Sequence, residues 1–248
     1  MKMSFIHDNL PEALTPFVNE LPKIDLLQYR AQLELSKDRI EILQAVIRKE
    51  QEVDDLFALL DIHIYCLKEV FPEEYKAANV EPHDAANNHD ITYDPAKNGK
   101  NLIKHGITFG EVRSFSPGFG TLIVPYPNER DEERLAIFSK LVVPQNSPLI
   151  LPKASMKGGS DLSTMTLAIQ AGNGFRFISS QTFHEAGWDK TMKGAVKSIF
   201  PRKSQSLEKA AFIKDCQDRV RPELFGANGD SGLHGPVRLF RATTPPTT

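Results

Sequence analysis

Apolar residues recur at helical spacing through the first third of the chain. One stripe begins after Pro22 and a second follows it, which predicts one long helix or two helices in line. A further helix is predicted from about Glu52 to Val70, with its end or a restart at Phe71-Pro72. Two facing amphipathic helices predict an antiparallel hairpin, which is either a docking surface for a neighbouring domain or subunit, or a simple scaffold. The apolar positions of the first two stripes are Ile24, Leu27, Ala31, Leu35, Ile40, Leu43 and Ile47.

Residues 79–90 break this pattern. They are polar, contain a proline and have no periodicity, which predicts a linker. We therefore place a domain boundary in this segment. The predicted parts are an acidic helical region over 1–86, a second domain over 87–205, and a C-terminal helix with a disordered tail over 206–248.

Alternation and short apolar runs replace the helical spacing further along the chain. Their β-branched and aromatic residues predict strands, and Gly172-Asn-Gly174 predicts a type I′ hairpin turn between the last two. Three prolines and a Gly-Gly pair predict a long inserted loop over 142–163. The second domain is therefore predicted to be α+β, with helices preceding an antiparallel sheet. The predicted strands cover 120–124, 135–139, 164–169 and 175–180.

The C-terminal part begins with one more helical pattern. It predicts a helix from Ser206 to Val220 with the serine as its cap. From Pro222 onward the chain is rich in Gly, Pro, Ser and Thr, which predicts a segment without fixed structure.

Metal and disulfide chemistry find little support in the sequence. His83 and His89, each followed by an aspartate, have no third ligand in fixed register, which is typical of solvated side chains. Cys66 and Cys216 are far apart and show no Cys/His spacing, so we expect two core thiols. No metal and no cofactor is predicted.

Charge and composition add a compartment and an asymmetry. The 248 residues are 40% hydrophobic and 25% charged, and no apolar run has the length of a membrane span or a signal-peptide core, which predicts a cytoplasmic protein. Residues 1–90 hold 18 acidic and 9 basic side chains, whereas 91–248 hold 14 acidic and 21 basic. This division indicates nucleic-acid contact by the basic part and its attraction to the acidic part, or two solvated faces.

The segment from Ile91 to Val112 predicts a short strand, a capped helix and a second helix start, joined by a Lys-His-Gly elbow. It resembles the opening of the BrnT family of bacterial toxins, which has a Trp-Asp-Pro-Ala-Lys start, a Lys-His-Gly elbow, a Glu-Glu-Arg core and a closing Arg-Ile-Ile-Ser strand. The resemblance covers roughly residues 91–183 with an insertion. The matching pieces are Tyr93 to Lys97, Asn101, Lys104 to Gly106, Phe109, Glu111, Glu132 to Arg134, and Phe175 to Ser179.

The resemblance implies a RelE-like fold and metal-independent ribonuclease chemistry on RNA, free or on the ribosome, with a partner antitoxin that restrains toxicity. On the family's motif lie Lys104, His105, Glu133, Arg134 and Arg176. Arginines stabilise the charge that builds on a phosphorane, and histidine suits acid/base work near neutral pH. The resemblance thus implies catalytic roles for His105, Arg134 and Arg176, and RNA binding by Lys104.

Each of these residues also has a structural alternative. Arg134 can form a salt bridge with the acids before it, and Arg176 can lie on the solvated face of its strand. His105 can be a helix C-terminal residue followed by Gly106 in the left-handed conformation.

One departure from the family pattern falls in the last strand, where Gln181 stands in place of a second cation. Three lysines at helical spacing after Trp188 can compensate by binding RNA, together with the basic pair at 202–203, although solvated lysines are the simpler interpretation. Trp188 can stack a base, but an isolated tryptophan is typical of a core. The lysines are Lys190, Lys193 and Lys197.

Two functions are compatible with these observations. The first is a toxin-like endoribonuclease that inhibits translation, restrained by a protein partner or by its own acidic N-terminal region. The second is a catalytically inactive toxin-fold protein that binds another protein, as a phage or mobile-element factor. Converging Lys and Arg side chains favour the first, and an exposed apolar patch favours the second.

Overall fold

The computed structural model describes residues 2–81, 83–85, 88–116, 119–126, 133–142, 161–201 and 205–226, without the side chains of 83–85, 88, 89 and 161. Within these ranges the chain combines helices and β-strands in a mixed α/β fold. Contacts between residues divide it into two compact units, the first ending at Gly110 and the second beginning at Glu111. The predicted boundaries differ from this division, because residues 96–103 belong to the core of the first unit and residues 212–224 to that of the second.

The first unit is mainly helical. Its described core joins apolar residues from Ile6 in the first helix to Ile103 in the last. The helices are α1 (Lys2–Asn9), α2 (Thr15–Glu20), α3 (Arg30–Leu33), α4 (Lys37–Ile47), α5 (Leu56–Val70), α6 (Pro72–Ala78) and α7 (Pro95–His105), and α8 (Phe109–Ser114) begins at the end of the unit.

The predicted stripe over residues 24–47 is not one helix. A 3-10 turn at Leu26–Tyr29 leads into α3, and Glu34 then takes a left-handed conformation with φ of 51° that ends α3 before α4 begins. The next helix, α5, begins at Leu56 rather than at Glu52, because Asp55 caps it by accepting hydrogen bonds from the backbone N–H groups of two residues in its first turn. Helix α6 is the restart predicted at Phe71-Pro72.

Helix α5 packs most extensively against α7, so the predicted hairpin with the preceding helix is not its main contact. The two helices approach closely at Gly99. A Cβ atom there would lie 2.1 Å from the backbone oxygen of Asp61. At the same crossing the buried carboxylate of Asp61 accepts a hydrogen bond of 2.6 Å from the side-chain amide of Asn98. A glycine and a hydrogen-bonded polar pair therefore set the spacing of α5 and α7.

The segment predicted as a linker contains two short strands. Strand β1 (His83–Ala85) pairs antiparallel with β2 (Asn88–Tyr93), with His83 opposite Tyr93. Backbone pairing of this kind needs no apolar alternation, which explains why the polar sequence gave no signal.

The second unit is built on four antiparallel strands in the spatial order β6, β5, β4, β3. The four predicted strands are confirmed, each with shifted or longer bounds. The predicted insertion lies between the paired ends Val142 and Asp161, and residues 143–160 lie outside the described ranges. The strands are β3 (Leu122–Tyr126), β4 (Arg134–Val142), β5 (Asp161–Ala171) and β6 (Gly174–Thr182).

The predicted hairpin between β5 and β6 is confirmed, but its turn is of another type. Ala171 pairs with Gly174, so Gly172 and Asn173 form a two-residue loop. The positive φ of 56° is at Gly172, and Asn173 has no positive φ. A positive φ at the first central residue alone fits a type II′ turn rather than type I′.

Helices cover one face of this sheet. They are α9 (Trp188–Ile199), α10 (Ser206–Asp215) and α11 (Arg221–Phe225), with a π-helical segment at Cys216–Val220. Their buried residues form one core with the strand residues that alternate onto the same face. The Ser163 hydroxyl donates to the carbonyl of Leu224 at 2.5 Å and so ties α11 to β5. The strand residues in this core are Leu122, Val124, Ala136, Phe138 and Met165.

Two predictions for the C-terminal region are wrong. Ser206 is the first residue of α10 rather than its cap, and the preceding residue makes no capping bond through its side chain. Pro222 lies within α11 rather than in an unstructured tail, because Leu224 is buried in the core of the unit. Residues 227–248 of the predicted tail lie outside the described ranges.

Both cysteines are buried free thiols, as predicted. Burial raises the pKa of Cys216 to about 12, and that of Cys66 rises for the same reason. Among the residues described, no helix combines the length and the apolar character that crossing a membrane requires.

Buried His63 on α5 predicts that the first unit loses stability in acid. Burial lowers the pKa of His63 from 6.5 to about 4, although the ring nitrogen Nδ1 lies 2.9 Å from the carbonyl oxygen of Leu59. The unfolded chain therefore takes up a proton before the folded chain does. The contribution of His63 to the free energy of unfolding is therefore complete above pH 6.5 and falls as the pH drops from 6.5 to 4. The total loss is about 3 kcal/mol.

The measurement is the urea midpoint of the full chain between pH 7.5 and 4. His63→Gln should reduce its slope, since the glutamine does not titrate. His184→Gln removes an exposed histidine and should leave the slope unchanged. An unaltered slope in His63→Gln would contradict the prediction.

Candidate nucleic-acid interface

The predicted strand, capped helix and second helix start are all present. Strand β2 ends at Tyr93, and the Asp94 carboxylate accepts hydrogen bonds from the backbone N–H groups of Ala96 and Lys97 as the N-cap of α7. Pro95 occupies the first helical position, where its missing N–H costs nothing. Asp94 and Pro95 thus have a structural role at the start of α7 in the first unit.

The asparagines of α7 hold the chain that follows it. The side-chain amide of Asn101 donates to the carbonyl of Ile107 at 2.8 Å, and the Asn98 oxygen accepts from the backbone N–H of Phe109 at 2.7 Å. Both asparagines are buried. They fix the path between α7 and α8 because the backbone groups of this turn have no partner within a helix.

His105 is the last residue of α7, and Gly106 follows it with φ of 75°. The predicted structural alternative for His105 is therefore confirmed. Burial, assisted by the positive charges of Lys104 and Arg39, lowers the pKa of His105 to about 4. The ring is therefore neutral at pH 7, and because its pKa is lowered it is a weak base there. Lys104 beside it is exposed.

The two arginines of the second unit lie in one row across the sheet. Arg134 on β4 is opposite Ile169 on β5, and Ile169 is opposite Arg176 on β6. Residues directly opposite each other point to the same face, so both arginines belong to the face that carries the helices. Their Cα atoms are about 10 Å apart, which is two inter-strand spacings. Arg134 is half-buried and Arg176 is exposed.

A β-bulge produces this alignment. Leu167 is opposite Ser179 and the next residue, Ala168, is opposite Phe177, so Ile178 is an extra residue in β6. The extra residue changes which residues of β6 share a face on the two sides of the bulge. If Ile178 were instead paired with Ala168, Arg176 would be opposite Gln170 and would lie on the other face from Arg134.

Tyr126 extends the row to the edge of the sheet. It is the last residue of β3 and lies opposite Arg134. Its ring is half-buried and packs against the core of the second unit. The row therefore reads Tyr126, Arg134, Ile169 and Arg176, with two cations and one aromatic ring on one face.

Gln181 lies elsewhere on that face. It is opposite Met165, which is four residues along β5 from Ile169, or about 13 Å. Gln181 therefore lies outside the arginine row.

The three lysines of α9 are exposed on its outer side, whereas Met192, Ala195 and Val196 are buried on its inner side. Trp188 is completely buried and contacts the rings of Phe138 and Phe225, so it is a core residue and does not stack a base. The basic pair predicted at 202–203 and Glu132 lie outside the described ranges, and Glu133 is exposed. The lysines are Lys190, Lys193 and Lys197.

The structure thus brings Arg134 and Arg176 together in one row and the three lysines together on one helix, all in the second unit. His105 and Lys104 are at the end of α7 in the first unit.

Sequence analysis missed Tyr126 and the bulge. The signal for Tyr126 was its position two residues beyond Val124, the spacing that keeps strand residues on one face. The bulge left no signal, because Ile178 continues the strand-like pattern.

Among the described side chains, no group of three or more His, Cys, Asp and Glu residues is placed to hold a metal ion. Comparison of the chain with models of protein families, with curated proteins and with solved structures gives no match.

Proposed function

We propose that the chain is a toxin-like endoribonuclease that cleaves RNA and thereby inhibits translation. The observation that carries the proposal is the row formed by Arg134 and Arg176 on one face of the sheet. The two arginines lie on β4 and β6, with β5 between them. Their guanidinium groups can bind one phosphate or two successive phosphates, each through paired hydrogen bonds.

The chemistry needs no metal ion. The 2′-hydroxyl of one nucleotide attacks the adjacent phosphorus, the bond to the 5′-oxygen breaks, and the products are a 2′,3′-cyclic phosphate and a 5′-hydroxyl end. Negative charge builds on the phosphoryl oxygens in between, and the arginines stabilise it. The proton acceptor that the resemblance implies is His105 of the first unit, and its lowered pKa makes it a weak base at pH 7.

The finer parts of the proposal follow from the resemblance to BrnT toxins. A four-stranded antiparallel meander with helices on one face is compatible with a RelE-type domain. We expect its activity to be restrained by a partner antitoxin or by the acidic residues of the first unit. Lys104 and the lysines of α9 would add contacts to the RNA backbone, which make binding dependent on salt.

Replacing both arginines should abolish the activity. Arg134→Ala with Arg176→Ala removes both phosphate-binding groups, so the cleavage rate should fall about 100-fold or more. The measurement is growth of a bacterial host under tight induction, with total RNA on a gel. The full chain is used throughout.

The matched control is Lys209→Ala with Lys214→Ala, which removes the same charge from exposed positions of α10. It should retain arrest and cleavage. Far-UV circular dichroism establishes that each variant is folded. Undiminished cleavage by the double arginine variant would overturn the assignment of the site.

A second function, binding of another protein without catalysis, is favoured by α10. Leu207 is 85% exposed and Ile213 is 39% exposed on this helix. Each can lose apolar surface to a partner protein on binding. Absence of RNA cleavage by any folded variant, together with a complex that Leu207→Ser disrupts, would support this function instead.

A further inference from the structure

We propose that Tyr126 stacks on an unpaired base of the RNA, so that the site takes single-stranded RNA rather than a duplex. The inference rests on the proposed function, because it assigns a base to the position next to the phosphate held by Arg134. It adds a positioning residue and a substrate class that the two arginines alone do not define.

The position of Tyr126 supports this role. It lies directly opposite Arg134 on the edge strand β3, and its side chain is on the same face as both arginines. Directly opposite side chains have Cβ atoms about 5 Å apart. A nucleotide whose phosphate binds Arg134 therefore has its base within reach of the Tyr126 ring.

The packing of the ring also fits stacking. Tyr126 packs against the core of the second unit, and its side chain is only half-buried. A ring held by the core loses little conformational freedom when a base covers its exposed part.

The substrate class follows from the geometry of nucleic acids. Aromatic side chains on a sheet stack with bases that are splayed out of a single strand, whereas the paired bases of an A-form helix are covered by their neighbours. The row from Tyr126 to Arg176 spans three inter-strand spacings, or about 14 Å. A short stretch of single strand can therefore cross the strands of the sheet, with its base at the edge and its phosphates toward β6.

The test is binding of a fluorescein-labelled octanucleotide of mixed sequence in which every 2′-hydroxyl is methylated, so that cleavage cannot occur. The same sequence in a blunt duplex tests whether paired bases bind. A linear polyphosphate, which has no bases, tests the effect of charge alone. Fluorescence anisotropy with the full chain gives the dissociation constants at one fixed salt concentration.

Tyr126→Leu keeps an apolar side chain against the core and removes the ring, so it should weaken binding of the single strand about tenfold. Tyr126→Phe keeps the ring and should bind like the wild type. Neither variant should change the affinity for polyphosphate. Trp188 fluorescence, which reports the core of the same unit, establishes that both variants are folded.

Equal affinity of wild type and Tyr126→Leu for the octanucleotide would overturn the inference, as would wild-type affinity for the duplex equal to that for the single strand, or no binding at all. The two proposals fail separately. Stacking without cleavage of unmodified RNA would remove the ribonuclease function and leave the inference, whereas cleavage with no effect of Tyr126→Leu would do the reverse.

Discussion

Gly99→Ala should destabilise the first unit by about 2 kcal/mol or more. The added Cβ atom would lie 2.1 Å from the backbone oxygen of Asp61 and 2.8 Å from the backbone nitrogen of Ile62. Both atoms belong to the backbone of α5, so no side chain can turn away and the two helices must separate. Overpacking of this kind typically costs 1–3 kcal/mol and occasionally more. The better helix propensity of alanine offsets only about 1 kcal/mol.

The measurement is urea unfolding of the full chain followed by far-UV circular dichroism. The matched control is Gly110→Ala in α8, where the nearest atom to an added Cβ is the Thr108 hydroxyl oxygen at 3.9 Å. This variant has room for the methyl group and should be as stable as the wild type or slightly more so. Equal midpoints for Gly99→Ala and Gly110→Ala would show that α5 and α7 do not meet as closely as described.

Trp188→Ala should have the largest effect on the second unit, about 3–5 kcal/mol. The side chain is completely buried and lies 5.8 Å from the ring centroid of Phe138 and from that of Phe225. It therefore joins the sheet to α9 and α11, and its removal leaves a cavity in the middle of the core. The midpoint of urea unfolding, again from circular dichroism, gives the loss.

Trp188→Phe separates the packing of the ring from the polar group of the indole. The buried indole N–H has no hydrogen-bond partner among the described residues. An unsatisfied buried donor is unfavourable, so its removal should compensate part of the lost volume. We expect Trp188→Phe to cost less than half as much as Trp188→Ala. Equal costs for the two variants would mean that the phenyl ring cannot occupy the site.

Local signals in the sequence predicted both ends of α7 well. Asp94 before a proline, and Gly106 after a basic helix end, each satisfy backbone groups of the residues next to them, so no distant residue is needed to interpret them. The partner of α5 was not predictable in the same way. Its apolar residues surround the helix, and the close approach at Gly99 depends on Asp61, which is 38 residues away in the chain.

The arginine row was predicted only in part. Sequence analysis selected Arg134 and Arg176 one by one, from the resemblance. Arg176 lies on the same face of the sheet as Arg134 because Ile178 is an extra, unpaired residue in β6. An isoleucine is equally compatible with a regular strand and with a bulge, so the residue types could not reveal it.

The order in which the two cores can form during synthesis follows from their positions along the chain. The described core of the first unit is complete by Ile103, whereas that of the second unit requires Leu224 near the end of the described chain. At a translation rate of about 5–20 residues per second, the ribosome needs roughly 6–24 s to add the intervening residues. The acidic unit can therefore fold while the chain is still being made, before the residues that would bind RNA have a sheet to lie on.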